Sequence, residues 1–341
     1  MRLWKYSLLF VVLIASCTRS KQDLEHSTNS VYYWRTTLRL DSAERQFLRD
    51  YKVGRIYMRY FDVVMRDGAA QPNATLRFLD TVPSSAEVVP VVFVTENCMR
   101  TDNEPQTLAE RIVQRVVQMN ETNKLPAPRE LQIDCDWTVR SQECYFAFLR
   151  QVRKLLRERD MRLSITIRLH QLAMNVPPAD YGVLMVYNTG DATRKTGRNP
   201  ILDMRDEQPH LRHLASYDLP LCAAYPIFGW QLLYRGDEFK AILHEENLAD
   251  SSLYRPVDDH RYLVVANRDL PEPSDDRAHF TWVLAGDSVI VQQPTEEMIL
   301  TVRQALQARR GNINNQVIIY SLDKKHLRLY NNNFYEKVYS R

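Results

Sequence analysis

Short apolar runs alternate with amphipathic segments along most of this chain. Val88 to Val94 is almost continuously apolar, and Val31 to Trp34, Arg55 to Val64, Arg162 to Leu169, Gly182 to Tyr187 and Leu221 to Tyr225 read as further strands. Runs of this kind suit parallel strands buried on both faces. Between them, Thr107 to Met119 carries Leu108, Ile112, Val116 and Val117 at helical spacing, and Gln142 to Glu158 reads as a strongly amphipathic helix. Asp41 followed three residues later by Glu44 is a capping-box pattern that opens a helix to about Tyr51. Helices are also predicted near Gln208 to Ser216 and over Met298 to Arg309, before a last strand at Gln316 to Leu322.

One further strand completes the set. Leu131-Gln-Ile-Asp-Cys-Asp-Trp-Thr138 begins as a buried strand and ends in two carboxylates and an indole. Alternation puts Gln132, Asp134 and Asp136 on one face and Ile133, Cys135 and Trp137 on the other. Eight strands, mostly separated by helices, predict an α/β fold: a (β/α)8 TIM-type barrel. An open doubly wound sheet is the runner-up, but eight strands without a Gly-rich first turn fit it poorly. The barrel is expected over residues 31–325, with an insertion at about 231–292 and a C-terminal extension at 326–341. Within the insertion, His260 to Asn267 and Phe280 to Gln292 alternate and flank a Pro/Asp-rich turn, which predicts a β-hairpin between strand seven and the last helix. Leu327 to Tyr339 reads as a final strand or a packed tail.

Composition narrows the function classes. Lys and Arg number 45 against 42 Asp and Glu, a net charge of only +3, so the chain lacks the basic excess of a dedicated nucleic-acid binder. Glycines number only 9, and no G-x-G-x-x-G or Walker A stretch occurs. There is no C-x-x-C, and the histidines are scattered, so neither a zinc site nor another metal or organic cofactor is implied. The N-terminus adds a compartment. Arg2 and Lys5 precede an apolar run from Leu8 to Ala15, and Ile14-Ala15-Ser16-Cys17 resembles a bacterial lipobox. Residues 1–17 therefore read as a lipoprotein signal peptide ending at a lipidated Cys17, and 18–30 as a polar tether. The expected location is the bacterial cell envelope, lipid-anchored, facing the periplasm or the exterior. Disulfides are permitted there, but Cys135 in a strand and Cys144 in a helix suit small apolar filler better.

Barrel active sites lie at the C-terminal strand ends. The chain places Asp62, Glu96, Asp134, Asp136, His170, Tyr187, Asn188, Tyr225, Trp230, Tyr320 and Asp323 there. Several of these sit in stretches that carry a family resemblance. Leu131 to Thr138 resembles the fourth-strand signature of family 18 glycoside hydrolases, the chitinases and their relatives, which runs roughly D-G-x-D-x-D-W-E. Asp134, Asp136 and Trp137 fall on its last two Asp and its Trp, while its proton-donating Glu is replaced by Thr138. Leu184 to Asn188 resembles the sixth-strand M-x-Y-D with Asn188 for Asp, Cys222 to Gly229 loosely resembles the seventh, and Ile319 to Asp323 resembles W-S-L-D with Tyr320 for Trp. The overall likeness is to bacterial lipoprotein domains with glycosidase-like barrels.

The resemblance implies that Asp136 orients a substrate acetamide and Asp134 tunes it. Trp137, Thr138, His170, Tyr187, Asn188, Tyr225, Trp230 and Tyr320 would form the sugar-binding wall. Glycoside hydrolysis needs an acid to protonate the leaving oxygen, and the Thr138 hydroxyl does not titrate in a useful range. Three readings follow. The barrel binds glycan or oligosaccharide without cleaving it; or it hydrolyses glycan with a displaced acid, Glu96 or Asp62; or it serves as a structural protein with an envelope protein partner, its acids paired with Arg59 and Arg168.

Overall fold

The structure is a computed structural model that describes residues 28–100, 104–243, 246–269 and 282–340. The leader, Cys17 and nearly all of the tether lie outside the described residues.

Eight parallel strands close into a barrel. They are β1 (Ser30–Tyr33), β2 (Arg55–Arg66), β3 (Glu87–Val94), β4 (Glu130–Asp134), β5 (Arg162–Arg168), β6 (Tyr181–Met185), β7 (Leu221–Pro226) and β8 (Val317–Tyr320). Each pairs with its sequence neighbour, and β1 pairs with both β8 and β2, which seals the sheet without a free edge. The expected helices surround it: α1 (Ser42–Asp50), α2 (Pro105–Thr122), α3 (Gln142–Arg157), α4 (Met204–Leu211) and α5 (Glu296–Arg309). The capping box at α1 forms as the sequence predicts, with Asp41 accepting from the Glu44 amide and Glu44 accepting from the Asp41 amide.

Alternation along the strands sorts the side chains into two cores. Leu131, Ile133, Cys135 and Trp137 face outward into the layer between barrel and helices, together with Leu221, Ala223 and Tyr225. Tyr32, Tyr57, Val91, Tyr181, Val183 and Met185 face the lumen. The lower lumen is polar and fully paired. Glu130 accepts from Tyr181 Oη at 2.5 Å and Ser164 Oγ at 2.6 Å, and lies 3.7 Å from Arg55 and 3.5 Å from Arg162. Gln132 accepts from Tyr32 Oη at 2.6 Å, and Gln316 donates to Tyr57 Oη at 2.7 Å. Glu130, Ser164, Tyr181 and Tyr57 come from the N-terminal halves of their strands, so the bottom of the barrel is a plug and ligands enter from the top.

Four features go beyond the sequence-based expectations. The β2–β3 connection carries no helix; instead Ala69–Asn73 pairs antiparallel with the end of β2. Helix α4 begins earlier than Gln208, because the Asp203 side chain caps its start by accepting from the Arg205 amide. The insertion is more than a hairpin. Arg261–Val264 and Ser288–Gln292 do pair antiparallel, but inside a five-stranded sheet with Trp230–Arg235, Glu238–Leu243 and Tyr254–Pro256. That sheet buries its own cluster of Leu233, Leu243, Tyr254, Val264, Val283 and Val289. Most of its Pro/Asp-rich turn, residues 270–281, lies outside the described residues. Finally, the C-terminal segment folds as two helices, α6 (Lys324–Leu327) and α7 (Asn332–Tyr339). Helix α7 buries Phe334, Tyr335 and Val338, and Tyr339 Oη donates to the Ser30 carbonyl at 2.9 Å. The cysteines Cys98, Cys135, Cys144 and Cys222 are all free thiols, and all but Cys144 are fully buried.

Candidate functional site

A cavity of about 380 Å³ opens at the C-terminal end of the barrel. Its floor is aromatic. Tyr320 from β8 lies 4.9 Å from Tyr187, 5.8 Å from Trp34 and 5.5 Å from Tyr32, ring centre to ring centre. These separations belong to packed, offset ring pairs, so the floor is rigid before any ligand arrives. Phe93 and Met185 complete the apolar lining, and Tyr187 Oη donates to Met185 Sδ at 3.1 Å. Burial, and then the neighbouring Tyr320, push the Tyr187 phenol well above its ordinary pKa, so it stays neutral.

The charged groups stand on this floor. Asp134, on β4, is only 3% exposed and accepts from Thr166 Oγ1 at 2.6 Å and from Arg168 Nη2 at 3.0 Å, both on β5. Burial works most strongly against the Arg168 charge, but Asp134, Tyr187, Asp136 and Tyr32 together outweigh it and the guanidinium pKa is raised. Asp136 is exposed on the rim, with His170 Nε2 3.8 Å from its carboxylate. His210, from the last turn of α4, faces the same rim; burial, and then the charge of His170, lower its pKa. Asn188 sits at the mouth with φ of 56°, a left-handed conformation that Asn tolerates better than most residues.

Glu96 and Asp62 are elsewhere. Glu96 follows β3 and accepts from Thr138 Oγ1 at 2.5 Å and from Ser141 Oγ at 3.0 Å, while Arg100 pairs with its other oxygen at 2.5 Å. Burial acts to raise its pKa, but the Thr138, Arg100 and Ser141 hydrogen bonds prevail and the pKa is lowered. Asp62 is clamped by the Arg59 guanidinium through two hydrogen bonds. Neither carboxylate lines the cavity; of that pair it is Arg59 that does.

The sequence-derived wall is brought together only in part. Asp134, Asp136, His170, Tyr187, Asn188 and Tyr320 converge on the cavity. Trp137 does not: it is fully buried on the outer face, stacked on Tyr145 at 5.8 Å and edge-on to Phe146 at 5.3 Å. Tyr225 also points outward, with its hydroxyl on Asn314 Oδ1 at 2.6 Å. Tyr225 shares the outward parity of Leu221 and Ala223, and Trp137, just past β4, that of Leu131 and Ile133. Trp230 is half-buried at the start of the insertion sheet, 5.7 Å from Phe228, outside the cavity lining. Thr138 is tied to Glu96 rather than facing the floor. The residues that sequence reasoning missed are Trp34, Phe93, Leu169, Met185, Thr189 and His210, while Arg59 and Arg168 were expected only as ion-pair partners. Strand parity would have found most of them, since Trp34, Phe93, Met185 and Arg168 share a face with the inward residues of their strands. Among the described residues, no group of three or more His, Cys, Asp and Glu side chains is placed to hold a metal ion.

Neither a family model nor a curated protein matches this sequence. Solved structures do share its fold. The spore cortex-lytic enzyme SleL of Bacillus megaterium QM B1551 is similar with a TM-score of 0.54 and 12% identity, over 92% of this chain and 74% of SleL. Catalytic domain 2 of the Group II chitinase of Ostrinia furnacalis gives 0.53 and 12%, over 92% of this chain and 95% of that domain. A chitinase of Bacteroides thetaiotaomicron gives 0.51 and 13%, over 92% and 96% respectively. The fold is therefore the glycosidase-like barrel of chitinases, as the resemblance in β4 implies. At such identities the likeness is one of architecture.

Proposed function

We propose that this protein is a glycan-binding barrel of the bacterial cell envelope, held there by lipid on Cys17, whose hydrolytic site has degenerated. One observation carries the reading. The resemblance in β4 puts Thr138 where chitinases carry their proton donor, and its hydroxyl is spent on Glu96, while an aromatic floor lies in the cavity. A glycosidase needs a carboxylic acid that is protonated near neutral pH and aimed at the leaving oxygen. Asp134 is held by Thr166 and Arg168, and Asp62 is held by Arg59. Packed Tyr and Trp rings beside hydrogen-bonding groups are what a saccharide face and its hydroxyls require. A mutant of the Ostrinia furnacalis domain with this fold has been crystallised with penta-N-acetylchitooctaose, which makes amino-sugar oligosaccharides the first ligands to try.

A second reading has its own observation. The Glu96 carboxylate stands 2.5 Å from Thr138 Oγ1, next to where the missing acid would begin. Glu96 would then be a displaced acid, although its lowered pKa and its Arg100 partner oppose that role. One experiment separates the two. Full-length protein in detergent is incubated with chito-oligosaccharides and peptidoglycan fragments, with calorimetry for binding and mass spectrometry for cleavage. Saturable binding weakened by Tyr320→Ala, with glycans intact, is expected. Cleavage that disappears in Glu96→Gln would replace the binding reading with the hydrolase reading. Absence of any saturable binding would overturn both.

A further inference from the structure

Beside the cavity lies a second, larger hollow of about 630 Å³, and the two share Trp34 and Arg59 as a common wall. Its lining includes four arginines, Arg35, Arg39, Arg59 and Arg77, and no acidic residue. A run of arginines on a surface is usually mobile and solvated. Here the surrounding frame is fixed. Both Arg35–Glu44 contacts are 2.9 Å, made by Arg35 Nη2 to the two oxygens of a fully buried carboxylate, and the guanidinium lies 4.5 Å over the Tyr33 ring. Arg59 is set by Asp62 and lies 5.5 Å over the Trp34 ring. Arg77 Nη2 donates to Thr37 Oγ1 at 3.2 Å, a neutral partner, and the Thr37–Leu38 backbone pairs in parallel with Arg77–Phe78. The loop closing this rim is pinned as well, since the Arg39 amide donates to Tyr33 Oη at 3.0 Å and the Leu40 amide to Asp80 at 3.0 Å.

Arg35 and Arg59 are thus balanced by Glu44 and Asp62, neither of which lines the hollow. Arg39 and Arg77 are exposed and form no ion pair within the described residues. A guanidinium presents its N–H groups in a planar fork that matches a carboxylate or sulfate. Four arginines lining one hollow, continuous with a saccharide-type aromatic floor, specify both halves of a ligand. We propose that this hollow is a subsite for an acidic sugar, so that the barrel takes glycans bearing carboxylate or sulfate groups. The neutral part of the chain lies over Trp34 and Tyr320, and the oxyanion is held by Arg39 and Arg77, with Arg59 at the junction. This rests on the glycan-binding reading above.

The test uses full-length protein in detergent and four probes of matched length: chitohexaose, a hyaluronan hexasaccharide, a chondroitin sulfate hexasaccharide and polyglutamate. At 50 mM salt, at least one acidic hexasaccharide is expected to bind more tightly than chitohexaose. Arg39→Ala/Arg77→Ala is expected to weaken only the acidic ligand, roughly three- to twentyfold, as two exposed charge pairs imply. The excess affinity is expected to fall towards the chitohexaose value at 500 mM salt, as screening requires. Hyaluronan against chondroitin sulfate tells whether carboxylate suffices or sulfate is preferred. Arg39→Lys/Arg77→Lys, which keeps charge but not the fork, is expected to recover part of the loss, and unchanged chitohexaose affinity shows that the alanine variant is folded. If chitohexaose binds as well as both acidic sugars, or the alanine variant keeps the preference, the acidic subsite is wrong while glycan binding stands. Polyglutamate binding as tightly as the acidic hexasaccharides also overturns it, by reducing the hollow to a general anion surface. If none of the saccharides binds, glycan binding itself fails.

Discussion

The Asp134–Arg168 pair decides whether the acids of the fourth strand are working parts or fixtures. Asp134 is 3% exposed, whereas the Arg168 side chain is 24% exposed at the cavity floor. Arg168→Met removes the cation and leaves the carboxylate buried with Thr166 as its remaining hydrogen-bond partner. Breaking a buried pair from one side costs about 3–5 kcal/mol, because the surviving charge is stranded. The unfolding entropy of a 341-residue chain, at about 2.1 cal/mol/K per residue, is about 0.7 kcal/mol/K. The melting temperature is then expected to drop by about 4–7 °C. Asp134→Asn is milder, about 1.5 kcal/mol, since it loses one charge-assisted hydrogen bond while its guanidinium partner can turn to water. In the double variant no charge is stranded, so its loss is expected to fall short of the sum by about 2 kcal/mol. Calorimetric melts of the four proteins measure this coupling. Losses that simply add, to within about 0.5 kcal/mol, would show that Asp134 does not depend on Arg168 and would undo the argument that the pair is locked.

Three further predictions concern other parts of the molecule. Glu207 on α4 is fully buried with no hydrogen-bond partner for either oxygen among the described residues, and burial raises its pKa well above normal. A raised carboxyl pKa in the folded state favours folding below the unfolded value, about 4.3, and the contribution is lost as pH rises through the folded value. Thermal stability is thus expected to fall from about pH 5 upward by at most about 1.4 kcal/mol per pH unit, and Glu207→Gln to flatten that slope and raise the melting temperature at neutral pH. Trp137→Ala empties a fully buried site and is expected to cost about 3–5 kcal/mol in denaturant titration. The folded fraction should nevertheless keep wild-type glycan affinity, whereas Tyr320→Ala should lose about 1 kcal/mol of affinity, roughly fivefold in Kd by calorimetry.

Much of this architecture is written in local pattern. The eight strands, the capped first helix and the amphipathic α3 follow from side-chain periodicity and short-range capping, which need only neighbours in sequence. The two faces of β4 were legible too, and the same parity places Trp137 and Tyr225 outward and Trp34, Phe93, Met185 and Arg168 inward. A family signature drew Trp137 into the expected sugar wall, although its own strand position argued against it. What the chain could not disclose is which strand ends meet across the barrel. Glu96 and Thr138 are 42 residues apart, and Asp134 and Arg168 are 34 apart. Their pairing depends on barrel closure and strand register, which set distances that no sequence spacing encodes. The same holds for His210, carried to the rim by α4, and for the arginine hollow, where residues 35–39 meet Arg59 and Arg77. Sequence settled which residues face inward; the closed sheet decided which of them became partners, and so which acids remained free to act.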